Sequence, residues 1–448
     1  YLYKLNCLFM SSRQLVSILI LLIPSLTFAQ KEVKTYFDPQ RRQLHEDYYV
    51  SREDNETLHG PYKSFYPNGK VEMEGKFEDG KRSGTFMEYH ENGKLLRKIS
   101  YQNGLRHGVV EVYDEDGNPM QNARYENNLL VDSIKSYFDT GIKKNESYFV
   151  EGKPDGLIRE FYPSGKLKSE VTYKNKKPNG VATSYYESGT PSSEINFKDG
   201  VMSGFYKTYY PNTQLETLST MKDGEKTGNF KNYDQAGHLL LEGYFTSGRL
   251  EGENMAYYPS GALLHKFSYK EGAKVGTNYE YHINGEIKIK EQVSLNGVDI
   301  KEEAFTDQGK QLYEKNFRKL KPYGTWTYYA ADGKTPHIKE IYEKEKLHGI
   351  RTTYYPSGEK ELEEMYQFNL ITGPVKHYYE NGKLESESEY RANRLHGPFT
   401  SYHANGKIKE QGEYVANKKH KEWKEFDDQG NLVKTYVFNA GILQKPKE

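Results

Sequence analysis

The chain has 448 residues, and its 63 Lys and Arg balance 63 Asp and Glu, so no overall positive charge marks it as a nucleic-acid-binding protein. Hydrophobic residues make up 35% of the chain, yet 14% of the residues are aromatic and 41 are Tyr. So much aromatic content argues against disorder. So few aliphatic residues argue against the several oily cores that this length suggests, and an ordered internal repeat satisfies both conditions.

The N-terminal residues have the features of a secretory signal peptide. After Met10 come a basic residue, an apolar run from Leu15 to Ile23 and small residues ending at Ala29. We therefore expect residues 1–9 to be upstream read-through and residues 10–29 to be a cleaved signal peptide. The mature chain would then be exported, to the periplasm or outside a bacterial cell.

Cysteine usage and hydropathy limit the remaining options. The single cysteine, Cys7, lies before the apolar run, so the exported chain would have no thiol. We therefore expect neither disulfides nor zinc sites built on thiolates. No later segment of the sequence is apolar over the length of a membrane span, so no integral membrane segment is expected after signal cleavage.

A glycine recurs every 24 residues along most of the chain. Thr213 replaces one of these marker glycines, and one inserted residue near Thr335 to His337 shifts the later ones, which gives sixteen repeats in all. The marker glycines are Gly69, Gly93, Gly117, Gly141, Gly165, Gly189, Gly237, Gly261, Gly285, Gly309, Gly333, Gly358, Gly382, Gly406 and Gly430.

Aromatic residues keep the same period. A second aromatic follows most marker glycines by eight residues, as at Phe77 and Tyr414, and another glycine, such as Gly60 or Gly84, opens most repeats. The first aromatic of each repeat precedes the marker position by four residues in all sixteen repeats: Phe65, Tyr89, Tyr113, Tyr137, Phe161, Tyr185, Tyr209, Tyr233, Tyr257, Tyr281, Phe305, Tyr329, Tyr354, Tyr378, Tyr402 and Phe426.

Each repeat has the pattern strand, turn, strand, turn. Asn or Ser before the marker glycine is typical of a tight hairpin, because glycine supplies the positive φ. The fold class predicted is all-β: an elongated single-layer antiparallel meander of tandem 24-residue hairpins. Residues 30–59 would form an N-terminal cap with a degenerate hairpin, residues 60–444 the repeats, and residues 445–448 a C-terminal tail.

Alternation along the strands predicts two different faces. The aliphatic residue two places after the marker glycine, such as Val71, and the aromatic residue eight places after it share parity. With a three-residue loop, the first aromatic would lie opposite that aliphatic residue. We therefore expect one apolar, aromatic face and one solvated face.

The repeat unit resembles the bacterial variant of the MORN repeat. The resemblance rests on G-x-Y-x-x-Y-Y-P-N-G-K-L, as in residues 60–69, 354–358 and 378–384, and it covers about residues 36–444. It implies tandem β-hairpins, a role in binding or scaffolding, and a relation to the YwqK-like, antitoxin-labelled repeat proteins of bacteria.

No pattern in the sequence indicates catalysis. Carboxylates such as Glu385 and Glu387 alternate along a strand as on a solvated face, and no serine has the context of a nucleophile elbow. We therefore expect no enzyme activity, metal or cofactor. The histidines that stand beside repeat-opening positions follow from the repeat itself: His59, His107, His348, His396 and His420.

Doubled aromatics are the candidate binding residues. Successive residues of a strand point to opposite faces, so the second aromatic of each pair would project away from the first. Such a row of exposed tyrosines suits protein or sugar recognition, whereas packing between neighbouring strands is the alternative. The candidate surface comprises Tyr66, Tyr162, Tyr186, Tyr210, Tyr258, Tyr355 and Tyr379.

These patterns favour an exported, non-catalytic scaffold with protein partners. The alternatives are a glycan- or cell-wall-binding module that uses the tyrosine row, and an antitoxin- or immunity-type binding protein. An unclosed sheet with one apolar face is also compatible with a homodimer.

Overall fold

The computed structural model describes residues 30–444. All of the regular elements in this range are β-strands, which confirms the predicted all-β meander. The expectations for residues 1–9, 10–29 and 445–448 lie outside the described residues. The chain divides into two compact parts, with the boundary between Lys153 and Pro154.

The N-terminal part contains strands β1 to β10, and the first two form a hairpin within residues 30–59. The strands are β1 Gln30–Tyr36, β2 Leu44–Ser51, β3 Leu58–Phe65, β4 Val71–Glu78, β5 Lys81–Tyr89, β6 Leu95–Gln102, β7 Leu105–Tyr113, β8 Pro119–Glu126, β9 Leu129–Tyr137 and β10 Lys143–Val150.

The C-terminal part contains strands β11 to β39, apart from Lys153, the first residue of β11. The strands are β11 Lys153–Phe161, β12 Leu167–Lys174, β13 Lys177–Pro178, β14 Gly180–Tyr185, β15 Pro191–Lys198, β16 Val201–Tyr209, β17 Leu215–Lys222, β18 Glu225–Tyr233, β19 Leu239–Thr246, β20 Arg249–Tyr257, β21 Leu263–Lys270, β22 Ala273–Lys274, β23 Gly276–Tyr281, β24 Ile287–Val293, β25 Asp299–Phe305, β26 Gln311–Arg318, β27 Lys321–Pro322, β28 Gly324–Tyr329, β29 Pro336–Glu343, β30 Lys346–Leu347, β31 Gly349–Tyr354, β32 Lys360–Gln367, β33 Leu370–Tyr378, β34 Leu384–Arg391, β35 Arg394–Tyr402, β36 Ile408–Val415, β37 Lys418–Phe426, β38 Leu432–Asn439 and β39 Ile442–Leu443.

Two kinds of turn connect the antiparallel strands. In the long turn between β3 and β4, the Tyr66 amide donates to the Lys70 carbonyl and the Gly69 amide donates to the Tyr66 carbonyl, each at 2.8 Å. Gly69 has φ +82°, and Phe65 pairs with Val71, as the three-residue loop predicts. The marker glycine is therefore the loop residue that needs a left-handed backbone.

The short turn follows the second strand of each repeat. Glu78 pairs with Lys81, and the two residues between them, Asp79 and Gly80, have φ values of +47° and +74°. Two consecutive positive φ values are typical of the type I′ turn, whose twist matches that of the flanking strands. Long turns therefore lie along one edge of each part and short turns along the other.

A β-bulge at the repeat-opening glycine bends the joint between neighbouring repeats. Between β4 and β5 the pairing shifts after Glu74, and Gly84, at φ +71°, lies in the bulge. The bulge directs Phe86, which has 0% exposure, onto Gly75 of the preceding strand. The core is a narrow column of such residues along the sheet.

The predicted separation of the faces is wrong for the first aromatic. Within the hairpin the pairing shifts between Ser64 and Phe65, so an extra residue interrupts the alternation after Val71. The hydroxyl of Tyr89 reaches Glu74, which belongs to the polar parity of its strand. The first aromatic therefore lies over the solvated face, and the aromatic eight places after the marker glycine packs toward the core column.

One joint has no register shift. Strands β24 and β25 pair continuously from Ile289 with Ala304 to Val293 with Ile300. Ile300 stands where most other repeats have the opening glycine. The turn between these strands closes with the Ser294 amide donating to the Asp299 carbonyl at 2.9 Å. The two residues normally taken up by the bulge therefore extend the turn, and the 24-residue period is kept.

Candidate functional site

The seven candidate tyrosines connect one repeat to the next. Each hydroxyl donates to the backbone carbonyl of the residue 23 positions later, which is the first aromatic of the following repeat, at O···O distances of 2.6 to 3.0 Å. We call this series the tyrosine ladder. It joins Tyr66 to Tyr89, Tyr162 to Tyr185, Tyr186 to Tyr209, Tyr210 to Tyr233, Tyr258 to Tyr281, Tyr355 to Tyr378 and Tyr379 to Tyr402.

The expected exposure of these tyrosines is wrong. All seven are half-buried. The long turns of successive repeats stack closely enough for each ring to lie against the next turn, and a hydroxyl that is partly removed from water needs a partner. Recognition through the remaining ring surface stays a prediction.

Other residue types occupy the ladder position in some repeats. His90, His282 and His403 place Nε2 at 3.2, 3.0 and 3.0 Å from the corresponding carbonyl oxygens of the next repeat. Asp114 instead accepts the amides of Asp116 and Asn118 within its own turn. Tyrosine and histidine therefore connect repeats at this position, whereas aspartate stabilises a single turn.

Asparagine and lysine of the long turn form a second set of bonds between repeats. The Asn68 amide donates to the Glu91 carbonyl at 3.0 Å, and Asn92 donates to the Glu115 carbonyl at 2.7 Å. The Lys70 ammonium donates to the Asn92 carbonyl at 2.7 Å. Tyr, Asn and Lys of the recurring sequence Tyr-Pro-Asn-Gly-Lys therefore each hydrogen-bond the next repeat, which explains why they recur.

In five of the described repeats, a tyrosine at the first aromatic position connects the repeat to the preceding one. The Tyr89 hydroxyl donates to Glu74 at 2.6 Å, and Tyr257 donates to Glu242 at 2.7 Å. Burial, followed by the hydrogen bond to the carboxylate, raises the pKa of Tyr89 and of Tyr257 to about 12. The tyrosine hydrogen bond in turn lowers the pKa of Glu74. The same pair recurs as Tyr185 with Glu170, Tyr209 with Glu194 and Tyr378 with Glu363.

A shallow cavity of 540 Å³ lies beside the joint that lacks a bulge. Thr277 pairs with Gln292, Gln292 with Lys301, and Lys301 with Asn316, so these four residues form a row across four strands. Tyr323 lies at the margin, with the Arg318 guanidinium 3.9 Å from its ring centroid. The lining therefore combines amide, hydroxyl and aromatic groups with the charged residues Asp299, Lys301 and Arg318, and such groups hydrogen-bond and stack on polar ligands.

The remaining predicted groups are dispersed. Within residues 30–444, no group of three or more His, Cys, Asp and Glu is placed to hold a metal ion. No helix in the same range is long and apolar enough to cross a membrane. His59 lies 3.1 Å from Asp79 in a neighbouring turn, which is consistent with its place in the repeat.

Sequence analysis missed the glutamates of the tyrosine pairs and the Asn-to-carbonyl bonds. Glu74, Glu170, Glu194 and Glu242 lie five residues after the marker position, so periodicity could have identified them. These glutamates occupy the polar positions of their strands and therefore resembled the other charged residues of a solvated face. Asparagine was assigned to turn formation alone, although its amide nitrogens also reach the next turn.

Together these contacts define a β-meander repeat protein whose turns are bonded from one repeat to the next. The MORN repeat variant family matches residues 58–79, 82–103, 106–127, 154–175, 178–199, 347–367, 371–392 and 395–416. The chain is a MORN-variant repeat protein.

Comparisons with other proteins add no functional assignment. No curated protein matches the chain. Among solved structures, the TcdB2-TccC3-Cdc42 complex aligns at 11% identity and a TM-score of 0.16, covering 91% of this chain and 26% of that chain. A Tc holotoxin pore of Photorhabdus luminescens aligns at 11% identity and a TM-score of 0.16, covering 91% and 25%. The chain thus spans about a quarter of the length of these proteins, and similarity at this level carries no argument.

Proposed function

We propose that the chain is an exported, non-catalytic scaffold of the bacterial cell envelope or exterior that binds protein partners. This proposal rests on one observation: the side chains that define the repeat form contacts between repeats. The tyrosine ladder, the asparagine bonds and the tyrosine–glutamate pairs all serve the array itself. Specificity then falls to the side chains that differ from repeat to repeat, as in other repeat proteins.

Binding at several points along a sheet suits a protein partner. Exposed residues of variable type lie between cross-strand ion pairs such as Lys63 with Glu74 and Lys98 with Glu111. Many weak contacts in a fixed geometry add up to specific recognition without a deep pocket. An antitoxin- or immunity-type role is one form of this protein binding.

The test compares three forms of the full chain as bait for an envelope extract of the source organism. They are the wild type, the triple variant Tyr186→Phe, Tyr210→Phe, Tyr258→Phe, and the corresponding triple Ala variant. Because the ladder hydroxyls serve the array, the Phe variant is expected to retain capture. Loss of capture in the Ala variant alone, with urea unfolding showing that both variants remain folded, would show that the ring faces also contact the partner. A wild type that captures no specific protein would refute the scaffold proposal.

Glycan binding is the second candidate, and the 540 Å³ cavity favours it. Amide and hydroxyl groups beside Tyr323 provide the hydrogen bonding and stacking that sugar rings use. Retention on insoluble cell-wall polysaccharide is expected for the wild type, with weaker retention for Gln292→Ala and Tyr323→Ala. Equal retention of all three forms would remove this cavity from the glycan hypothesis.

A further inference from the structure

Two short turns of the C-terminal part place a large apolar residue on left-handed backbone, where three others carry the small residues Ala392, Ala416 and Ala440. Leu320, between β26 and β27, has φ +63° and is 80% exposed. Phe368, between β32 and β33, has φ +51° and is 37% exposed. A bulky side chain in this conformation costs about 1–2 kcal/mol. Leu320 gains little burial in return, whereas Phe368 packs against the His348 ring at a centroid distance of 4.6 Å. At the second position of the short turn, where Leu320 lies, most repeats carry Gly or Asn. Phe368 lies at the first position, where Asp, Asn, Glu, Lys, Ser and Ala also occur.

These turns belong to a contiguous series along the short-turn edge. The lengthened turn after β24 exposes Leu295 to 83%, and the Lys319 amide donates to the Val298 carbonyl of that turn at 2.7 Å. On the other side, Lys321 lies 2.5 Å from Glu345 in the next turn. The Lys344 ammonium then lies 5.6 Å from the Phe368 ring centroid. We call this surface the apolar turn patch, made of Leu295, Leu320, Tyr323, Phe368 and Leu370.

The charges around the patch leave an excess of cations. Arg318 pairs with Asp299 at 2.7 Å, Lys321 with Glu345 at 2.5 Å, and His348 lies 3.5 Å from Glu343. The first two contacts neutralise Asp299 and Glu345, and Glu343 lies beside His348, which is charged only when protonated. Within the described residues, no carboxylate lies within ion-pair distance of the three remaining lysines, Lys319, Lys344 and Lys346.

The patch also contains a cleft. A cavity of 450 Å³ between the turns after β26 and β29 is lined by Pro322, Tyr323 and six charged residues, namely Arg318, Lys319, Lys321, Glu343, Lys344 and Glu345. Its size suits one or two side chains of a chain that runs across the turns. A flat bilayer surface cannot enter this cleft, whereas a side chain of an extended segment can.

We propose that the apolar turn patch binds an extended acidic segment of a partner protein. Apolar side chains of that segment would occupy the cleft and cover Leu320 and Phe368, while its carboxylates would pair with Lys319, Lys344 and Lys346. Alternation of apolar and acidic residues matches this arrangement, because successive residues of an extended chain point in opposite directions. The inference rests on the proposed scaffold function, for which it names one contact surface and the chemistry of its partner.

The test uses the full chain and a fluorescein-labelled peptide of about 12 residues in which Leu and Phe alternate with Glu. The variant Lys319→Asn, Leu320→Gly installs the turn sequence that left-handed backbone favours, so it is expected to fold at least as well as the wild type. Anisotropy titrations should show affinity at least about tenfold lower for this variant. Lys344→Ser with Lys346→Ser should lower affinity and reduce its salt dependence.

Two controls isolate the patch. Lys176→Gly makes the same kind of change in the Asn175–Lys176 turn, where Lys176 has φ +68°, and should leave affinity unchanged. A peptide with Lys in place of each Glu should not bind. Equal affinity for the two peptides, equal affinity of the wild type and the double turn variant, or no binding of the acidic peptide would each overturn the proposal. Binding of phosphatidylserine vesicles that depends on Leu320, without peptide binding, would also overturn it in favour of a lipid surface.

The outcomes separate this inference from the function on which it rests. If the wild type captures an envelope protein and the turn variant captures it equally, the patch proposal fails and the scaffold proposal stands. If the acidic peptide binds but no envelope protein is captured, the patch proposal stands and the scaffold proposal fails.

Discussion

At the scale of residues, most of the repeated side chains act on a neighbouring repeat rather than on their own. Tyr185 shows this in both directions, because its hydroxyl bonds Glu170 and its carbonyl accepts the hydroxyl of Tyr162. Tyr186 then bonds the carbonyl of Tyr209. A doubled tyrosine therefore connects three successive repeats, which explains why both residues of the pair recur.

Loss of ladder hydroxyls should destabilise the sheet without changing its fold. Replacing Tyr186, Tyr210 and Tyr258 with Phe keeps the rings but removes one hydrogen bond each, at a cost of about 1 kcal/mol per site. Urea unfolding followed by circular dichroism measures the change. Tyr244→Phe, at a residue that is 43% exposed, is the matched control and should have little effect. Equal losses for ladder and control sites would show that these hydrogen bonds contribute nothing.

The tyrosine–glutamate pairs predict a loss of stability at both ends of the pH range. The pKa of Glu74 is lowered in the folded chain, so its contribution is present above the unfolded value of about 4.3 and is lost as the pH falls through the folded pKa. The pKa of Tyr89 is raised to about 12, so its contribution is present below about 10 and is lost as the pH rises toward 12.

Unfolding free energies measured from acid to alkali test these signs. The variant Tyr89→Phe, Tyr257→Phe should lose stability near neutral pH and show a shallower decline between about pH 10 and 12. Its acid limb should also flatten, because Glu74 and Glu242 lose their donors. Parallel curves for variant and wild type would contradict the assigned coupling.

At the scale of elements, the bulged joint determines how two hairpins pack. Gly75 and Gly412 are glycines without positive φ, and a Cβ on either would lie 2.5 Å from the Phe86 ring or 2.2 Å from the Trp423 ring. Both rings have 0% exposure. A small residue on one strand therefore accommodates a large one on the next, which is a steric reason for glycine rather than a conformational one.

Gly75→Ala should cost about 1–3 kcal/mol through overpacking. Combining it with Phe86→Leu should cost less than the sum of the two single changes, because the smaller side chain makes room for the added methyl group. A double-mutant cycle from urea unfolding measures the coupling. Gly69→Ala, in open space but at φ +82°, is the control for backbone strain and should be additive with Phe86→Leu. Additivity of Gly75→Ala with Phe86→Leu would refute the steric explanation.

The 24-residue repeat was enough to predict the hairpins but not the contacts between them. Marker glycines such as Gly69 and the alternating strands sufficed for the hairpins and for the pairing of Phe65 with Val71, because both depend on local chain geometry. The face of the sheet on which Tyr89 lies could not be predicted from the sequence, because an extra residue in the hairpin interrupts the strict alternation of side chains. Nor could the ladder be foreseen, because alternation gives the direction of a side chain but not the stacking of turns 23 residues apart.

At the scale of the whole molecule, interactions are confined to neighbouring repeats within each part. The insertion near Thr335 illustrates the tolerance that results, because it only lengthens one long turn, which closes with the Ala330 amide on the Thr335 carbonyl. Strands β28 and β29 keep their pairing beyond that turn. Stability should therefore be close to a sum over repeats and their joints.

Removing one full repeat should leave a folded sheet. Deletion of residues 181–204 joins Gly180 to Phe205, so that Tyr162 meets the carbonyl of Tyr209 in place of that of Tyr185. The urea m-value should fall in proportion to the residues removed, with unchanged β circular dichroism. Deletion of residues 181–192, half a repeat, is the contrasting variant and should abolish cooperative unfolding. Equal stability of the two deletions would contradict a repeat-based register.

The direction of the tyrosine ladder has a consequence for how the chain acquires its structure. Every hydroxyl reaches forward to a carbonyl that is synthesised 23 residues later, so each contact closes a loop of nearly constant, short length. Most β proteins fold slowly because segments far apart in sequence must come together, at a cost in chain entropy, before their contacts stabilise the fold. Here each ladder contact needs only the next two dozen residues to emerge from the ribosome, so folding can proceed repeat by repeat during synthesis.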